Sequence, residues 1–271
     1  MFQIKLHSSF HFRFRLGFRL RHAGLALALA LCAAALLSRA ATAQPLTISA
    51  ATSLTDAFKA LAPRFEASQA GTTLRFNFAA SGVLLQQIAQ GAPVDVFASA
   101  DQETMQRAAT QKLVDPASRR DFATNSVVLI EPAQDGPGLH TLKDVAGPAV
   151  RRIAIGKPAT VPVGRYTREV LDASRLWSVL EPRFVQADSV RQVLDYVGRG
   201  EADAGFVYRT DAALAEGKVR VVLTATGHTP VRYPVALVAD SRQPALALAF
   251  IRFLDSAEAR QILARHGFGS P

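Results

Sequence analysis

The sequence predicts a two-lobed α/β protein that follows an N-terminal export segment. From residue 45 onward, apolar strand-like runs alternate with amphipathic helix-like runs, a pattern typical of parallel-rich sheets with helices on both faces. The same alternation begins again near residue 126, which indicates a second lobe. The content of 49% hydrophobic and 20% charged residues is that of a globular chain.

The first 43 residues have the pattern of a secretory signal peptide. Residues 1–22 carry five Lys or Arg residues and no acidic residue, an apolar run of 15 residues follows, and "ATA" precedes Gln44. We expect cleavage after Ala43. The apolar run is short for a membrane span, and no stop-transfer segment follows it. The sequence therefore predicts export to a bacterial periplasm.

The charge and the cysteine content of the mature chain exclude several classes of function. The formal charge is +9, but removing residues 1–43 takes away six basic and no acidic residues and leaves +3. No basic stripe with interleaved aromatic residues remains, so we expect no nucleic-acid partner. Cys32 is the only cysteine and lies in the export segment, which excludes a disulfide, a thiolate metal site and a cysteine nucleophile in the mature chain.

The elements of the first lobe are predicted in chain order. The strand-like runs are "PLTISA", "TTLRFNFA" and "VDVFAS". The helices between and after them are expected over residues 54–68, 82–90 and 101–111.

The second lobe repeats this organisation. Its strand-like runs are "SVVLIEP", "RRIAIG", "RFVQA", "AGFVY" and "VRVVLTA", and its helices are expected over residues 164–174 and 190–199. A final strand, "YPVALVAD", and one helix over residues 244–266 return to the first lobe. Lobe I is therefore predicted as residues 44–124 plus 234–271 and lobe II as residues 125–233, with the chain crossing near Asn125 and Tyr233.

The candidate binding residues stand where strands end and helices begin. In open α/β sheets, ligands bind beyond the carboxyl ends of the strands. Five such ends in this chain carry a hydroxyl group or free helix amides. The candidates are Ser53, Ser81, the amide of Val163, the amide of Val190 and the hydroxyl of Tyr208.

Each candidate also has an ordinary structural interpretation. Ser53, with Asp56 three residues later, and Ser81 both suit helix caps. Ser189 and Gln192 are spaced as a capping box in front of the Val190 helix. The turn before Val163 can be a plain loop, and a tyrosine at the end of a strand often serves packing.

Taken together, the five junctions suggest a site made of neutral hydrogen-bond donors. Free amides at helix N-termini attract anions, and several inward-pointing donors can replace the hydration shell of a small oxyanion. Such a shell can select an oxyanion by its size and its lack of protons. Arg165 and Arg191 lie near the junctions, and we expect both to be solvated surface residues.

The same stretches resemble the periplasmic molybdate-binding proteins of ABC importers. The resemblance covers nearly all of residues 46–268, and its segments are "AATSLTDAF", "FAASGVLLQQIAQGAPVDVFASAD", "VPVGRYTREVL", "ADSVRQVLDYV", "AGFVYRTDA" and "YPVALV". It implies a type II periplasmic binding-protein fold, with two α/β lobes joined by two crossing strands. Carried over by motif, it places Ser53, Ser81, Val163, Val190 and Tyr208 around the oxyanion.

The resemblance also implies a ligand and partners. The ligand is molybdate or tungstate, held without a direct bond between protein and metal and without any further cofactor. The partner is a membrane permease, and we expect the binding protein to be a monomer. Two positions depart from the family pattern: Gly82 stands where relatives often have a second hydroxyl residue, and Val163 stands where they often have alanine.

Two alternatives remain open at this point. Sulfate or phosphate could occupy a similar donor shell, although protonated phosphate needs an acceptor, and Asp56 is the nearest candidate. An exported hydrolase would need a general base for one of the serines. The mature chain offers only His140, His228 and His266, in no recognisable catalytic arrangement.

Overall fold

The computed structural model describes residues 45–271. The predicted signal peptide, residues 1–43, lies outside the described residues, together with its cleavage site and Cys32. Across the described part of the chain, the search for a helix both long and apolar enough to span a bilayer finds none.

The described chain forms two α/β lobes, as predicted. Its strands are β1 Leu46–Ala51, β2 Leu74–Ala79, β3 Val96–Ala98, β4 Arg120–Asn125, β5 Val127–Pro132, β6 Ile153–Gly156, β7 Phe184–Ala187, β8 Ala204–Tyr208, β9 Val219–Thr224 and β10 Val231–Leu237. Its α-helices are α1 Thr55–Ser68, α2 Ser81–Ala89, α3 Gln102–Thr110, α4 Pro162–Ala173, α5 Trp177–Leu180, α6 Val190–Gly198, α7 Arg209–Ala213, α8 Pro244–Leu254 and α9 Ala257–Arg265. Short 3₁₀ turns cover Thr52–Leu54, Pro116–Ser118, Leu142–Ala146 and Glu181–Arg183.

The two sheets share one plan. The first has the order β2-β1-β3-β10-β4, and the second has the order β7-β6-β8-β5-β9. In each sheet three neighbouring strands are parallel, and the next strand, β10 or β5, is antiparallel to the strand on either side of it. The parallel strands are followed by helices, so the carboxyl ends of β1, β6 and β8 all lead into helix starts, where ligands of such sheets bind.

The first lobe is held by a cluster of aromatic side chains. Helix α1 buries Phe58, Leu61 and Phe65, whose spacing of three and four residues forms one apolar face. Phe250 of α8 meets Phe58 and Phe65 edge-on, with ring centroids 5.9 and 5.2 Å apart. This edge-to-face packing fixes α1 against the C-terminal helices and so fixes the junction that precedes α1.

The chain passes between the sheets twice. The first passage lies between Asn125, the end of β4, and Val127, the start of β5. The second lies between Thr224 and Val231, which join β9 to β10. We keep residues 44–124 plus 234–271 and residues 125–233 as the proposed division into lobes.

The short helices α5 and α7 were not predicted, and two further details of the sequence prediction were wrong. The helix predicted over residues 244–266 is two helices, because the Ser256 hydroxyl accepts a 3.1 Å hydrogen bond from the amide of Ala259 and caps a new start. Strand β4 was not predicted. Its partners are distant in the sequence, since it pairs with β10 and, at Thr124, with Gly269.

Candidate functional site

A small cavity lies where the strand-to-helix junctions of the two lobes meet. The space between its lining atoms measures about 210 Å³, part of which is open to solvent. It is lined by Ala51, Thr52, Ser53, Ala80, Ser81, Ala100, Val161, Pro162, Val163, Val190 and Tyr208. All five residues singled out from the sequence therefore line one cavity, and none of the lining residues carries a charge.

Ser53 does not cap a helix. It sits in the 3₁₀ turn between β1 and α1, and α1 has no side-chain cap at its N-cap residue, Leu54. Instead, the Ser53 Oγ lies 3.1 Å from the hydroxyl oxygen of Tyr233 on β10. The capping interpretation of Ser53 was wrong, because its hydroxyl is hydrogen-bonded to Tyr233, 180 residues away in the sequence, and not to a helix amide.

Ser81 is also not a cap. It is the first residue of α2, whose N-cap is Ala80, and it is fully buried. Its Oγ accepts a 3.0 Å hydrogen bond from the backbone amide of Ala100. Since the oxygen already accepts this bond, the hydroxyl hydrogen of Ser81 is free to donate elsewhere.

The amides of Val163 and Val190 lie in the first turns of α4 and α6. Such amides have no partner within their own helix. Among residues 45–271, no hydrogen bond is found from either amide to another protein group. In contrast, the predicted cap in front of α6 is present, because Ser189 Oγ accepts a 3.2 Å bond from the amide of Gln192.

Tyr208 ends β8 and is buried. Its hydroxyl makes a long, 3.4 Å hydrogen bond to the carbonyl oxygen of Ala100 in the first lobe. Burial raises the pKa of the Tyr208 phenol well above its usual value, so the hydroxyl keeps its proton and remains a donor.

Sequence reasoning missed Thr52. This residue precedes Ser53 and lines the cavity, and its Oγ1 is a buried atom without a hydrogen-bond partner in the described chain. A buried, unpaired hydroxyl is unusual and suggests a bound group. Its position directly before Ser53 in "AATSLTD" could have marked it as a candidate from the sequence.

The sequence matches the family model described as "Bacterial extracellular solute-binding protein" over residues 46–269, almost the whole described chain. The chain belongs to the bacterial extracellular solute-binding proteins.

Relatives and solved structures of this solute-binding protein agree with that assignment. It is 36% identical to the molybdate-binding protein ModA of Escherichia coli K12, over 82% of this chain and 88% of that protein. It is 34% identical to a putative ABC transporter substrate-binding lipoprotein of Bacillus subtilis, over 82% and 85% of the two chains. The solved periplasmic molybdate-binding protein of Azotobacter vinelandii superimposes with a TM-score of 0.73 at 28% identity, over 83% and 99% of the chains.

The two lobes of this solute-binding protein touch through backbone at Gly82. The amide of Gly82 donates a 2.9 Å hydrogen bond to the carbonyl oxygen of Thr160, which precedes α4. A Cβ atom at position 82 would lie 2.7 Å from that oxygen. The absence of a side chain at Gly82 permits this close approach, and a side chain here would hold the lobes apart.

The prediction that Arg165 is a solvated surface residue was wrong. Its side chain is only 12% exposed, and its Nε donates a 2.7 Å bond to Asp101 Oδ2 across the cleft. A second guanidinium nitrogen bonds the same carboxylate and, at 2.7 Å, Thr104 Oγ1. These partners lie at the start of α3. Arg165, in the first turn of α4, reaches them because the fold brings the starts of the two helices face to face.

The predictions that Arg191 is a solvated surface residue and that Asp56 supports a helix cap were also wrong. The guanidinium of Arg191, 26% exposed, donates to Asp56 Oδ2 at 2.8 Å and to Asp211 Oδ1 at 2.6 Å. Asp56 therefore pairs with a cation of the other lobe and does not cap α1. Although burial lowers the pKa of Arg191, the charges of Asp211 and Asp56 raise it above its usual value, so the guanidinium stays charged.

Asp211 is the buried member of this ion-pair group. Desolvation raises the pKa of its carboxyl group to about 6, although Arg191 acts in the opposite direction. Its second oxygen, Oδ2, is buried and unpaired within residues 45–271. The two arginines near the cavity are thus engaged with carboxylates, and neither lines the cavity.

Proposed function

We propose that this chain is the periplasmic substrate-binding component of an ABC importer, and that its cavity binds molybdate or the similar tungstate dianion. The observation that carries the proposal is the cavity itself, where hydroxyl groups and helix amides of both lobes meet without a charged side chain. The similarity to molybdate-binding proteins supports the same conclusion.

The proposed ligand shell is made of donors. Ser53 and Ser81 would contribute hydroxyl groups, Val163 and Val190 their backbone amides, and Tyr208 its phenol. An oxyanion without protons accepts hydrogen bonds from every side, so it suits such a shell. Protonated phosphate would also need an acceptor. Asp56, the acceptor considered from the sequence, is bound to Arg191 and does not line the cavity.

Binding from both lobes explains how the protein would act in transport. An oxyanion in the cavity contacts both lobes only when they are closed, so it shifts the population toward the closed form. The closed form would dock on a membrane permease and release the oxyanion when the lobes open. We propose that the protein does this as a monomer in the periplasm.

The hydrolase alternative receives no support from the serine environments. In the described chain, the hydrogen-bond partners of the two serine hydroxyls are Tyr233 and the amide of Ala100, and neither is a histidine. A nucleophilic serine needs a general base within hydrogen-bond reach. The relatives are likewise named as binding proteins.

Titration calorimetry tests the proposal. The full-length chain is expressed with its export segment, purified from the exported fraction, freed of bound ions and titrated with molybdate, tungstate, sulfate and phosphate. We expect tight binding of molybdate and tungstate and little heat with sulfate or phosphate. Tight sulfate binding with weak molybdate binding would overturn the proposal.

A further inference from the structure

A row of three polar groups leads from the first passage between the lobes to the cavity. The amide nitrogen Nδ2 of Asn125 lies 3.3 Å from the hydroxyl oxygen of Tyr233, which lies 3.1 Å from Ser53 Oγ. Asn125 ends β4, at the first passage between the sheets, and Tyr233 lies on β10, which follows the second. Neither residue lines the cavity, but Ser53 does.

The direction of the Asn125 amide is set by its neighbours. Its oxygen, Oδ1, accepts a 2.8 Å hydrogen bond from the backbone amide of Ser126. Its nitrogen donates to Thr210 Oγ1 at 2.9 Å and to the Tyr233 hydroxyl at 3.3 Å. Rotating the amide by 180° would place two donors, the Ser126 amide and the side-chain NH₂, against each other. Asn125 is therefore a donor toward Tyr233.

The direction of the Tyr233 hydroxyl follows from that donation. Tyr233 is fully buried, and burial raises the pKa of its phenol well above the usual value, so its proton is present and needs an acceptor. If Ser53 donated to Tyr233, the phenol oxygen would receive two hydrogens and its own would be left unpaired. A buried unpaired donor is costly, so Tyr233 donates to Ser53 Oγ.

We propose that Asn125 and Tyr233 are positioning residues that turn the Ser53 hydroxyl hydrogen toward the cavity, so that Ser53 acts as a hydrogen-bond donor there. This inference rests on the proposed function, since it assigns Ser53 to an oxyanion. With its oxygen accepting from Tyr233, Ser53 has one remaining hydrogen, and the cavity is the open side of the residue. Asn125 and Tyr233 would act on the ligand only through Ser53.

We call the row of hydrogen bonds from Asn125 through Tyr233 to Ser53 the relay. A double-mutant cycle measured by calorimetry with molybdate tests it. Tyr233→Phe removes the hydroxyl and keeps the ring that packs against Phe122 and Phe268. We expect it to weaken molybdate binding by about five- to tenfold. In the Ser53→Ala background, the same change should have no effect, because the group through which it acts is gone.

The matched control is Tyr196→Phe. The Tyr196 hydroxyl also has a side-chain partner, since it accepts a 2.8 Å bond from Gln192 Nε2, but it does not line the cavity. This variant should bind molybdate like the wild type. An unchanged affinity of Tyr233→Phe, or an effect of equal size with and without the Ser53 hydroxyl, would overturn the relay.

Asn125→Asp provides a second test that does not depend on the Tyr233 variant folding. An aspartate oxygen in place of Nδ2 accepts from Tyr233, which turns the phenol hydrogen away from Ser53. We expect about a tenfold weaker affinity in the wild-type background and a smaller loss in the Ser53→Ala background, where only the added negative charge acts. Equal losses in both backgrounds would contradict the relay.

The outcomes separate the relay from the proposed function. A wild-type protein that binds no molybdate overturns both. A wild-type protein that binds molybdate, with Ser53→Ala unaffected, removes Ser53 and the relay and leaves the proposed function standing. Thermal unfolding of each variant, compared with the wild type, shows whether a loss of binding reflects a loss of folded protein.

Discussion

The guanidinium of Arg191 donates a 2.8 Å hydrogen bond to Asp56 Oδ2, and this contact joins the first turn of α6 to the first turn of α1. Both turns are next to the cavity. The first turn of α6 contains Val190, which lines the cavity, and the first turn of α1 comes shortly after Ser53, which also lines it. An ion pair outside the cavity therefore holds together two of the segments that form it.

Loss of this ion pair should weaken ligand binding. We expect Asp56→Asn to lower molybdate affinity by about two- to fivefold, since a half-exposed ion pair is worth up to about 1 kcal/mol and acts only in the closed form. Removing a negative charge near an anion site would by itself raise the affinity, so a decrease identifies the contact between lobes. Asp172→Asn, which removes an exposed pair within α4, is the control and should leave calorimetric affinity unchanged.

A side chain at Gly82 should prevent closure. Since a Cβ atom would lie 2.7 Å from the Thr160 carbonyl oxygen, Gly82→Ala should reduce molybdate affinity by at least about tenfold, with little change in the melting temperature of the ligand-free protein. Gly198→Ala serves as the control, because its Cβ would find ordinary contacts at 3.6 Å or more. Wild-type affinity in Gly82→Ala would show that closure does not need this approach.

The Tyr208 hydroxyl should contribute directly to ligand binding. Tyr208→Phe keeps the buried ring and removes the donor, so we expect binding to weaken by about 1–3 kcal/mol, the usual cost of an unmatched buried polar group. Calorimetry at a single pH is sufficient, because burial keeps the Tyr208 phenol protonated. An unchanged dissociation constant would remove Tyr208 from the site.

Thr52 offers the cavity a sixth hydrogen-bond donor and a fourth hydroxyl group. Thr52→Val preserves the shape of the side chain and removes the buried, unpaired Oγ1. If this oxygen contacts the ligand, affinity should fall by about 1 kcal/mol or more, whereas the stability of the ligand-free protein should stay the same or rise. Equal or tighter binding by Thr52→Val would show that the ligand does not use this hydroxyl.

Asp211 should make stability depend on pH. Its pKa in the folded protein, about 6, is above the ordinary value of 3.8, so the folded state binds the proton more tightly than the unfolded state. The stability gained from this tighter proton binding is present below about pH 4 and is lost as the pH rises through about 6. The loss amounts to about 3 kcal/mol at most.

Asp211→Asn tests that dependence because it imitates the protonated acid. Relative to the wild type, its free energy of unfolding, measured by urea denaturation, should improve as the pH is raised from 4 to 7.5. Parallel curves for the two proteins over this range would contradict the assignment to Asp211. The control is Asp195→Asn. Asp195 is exposed on α6, so this variant should follow the wild-type curve.

Local sequence pattern predicted the elements near the site well. Helices α1, α2, α3, α4 and α6 begin within two residues of their predicted starts, because apolar spacing of three and four residues is visible along the chain itself. Strand β4 and the break at Asp255 were missed. The first depends on pairing with the distant β10, and the second on a single serine cap.

The sequence by itself determined where strands lead into helices, and therefore which hydroxyl groups and amides could meet at the carboxyl ends of two sheets. The tertiary structure decided what those groups bond to: Ser53 to Tyr233, 180 residues away, and Arg191 to Asp56, 135 residues away. The reason is physical. Periodicity and capping are properties of neighbouring residues, whereas the partner of a buried polar group is chosen by whichever distant element the fold packs against it.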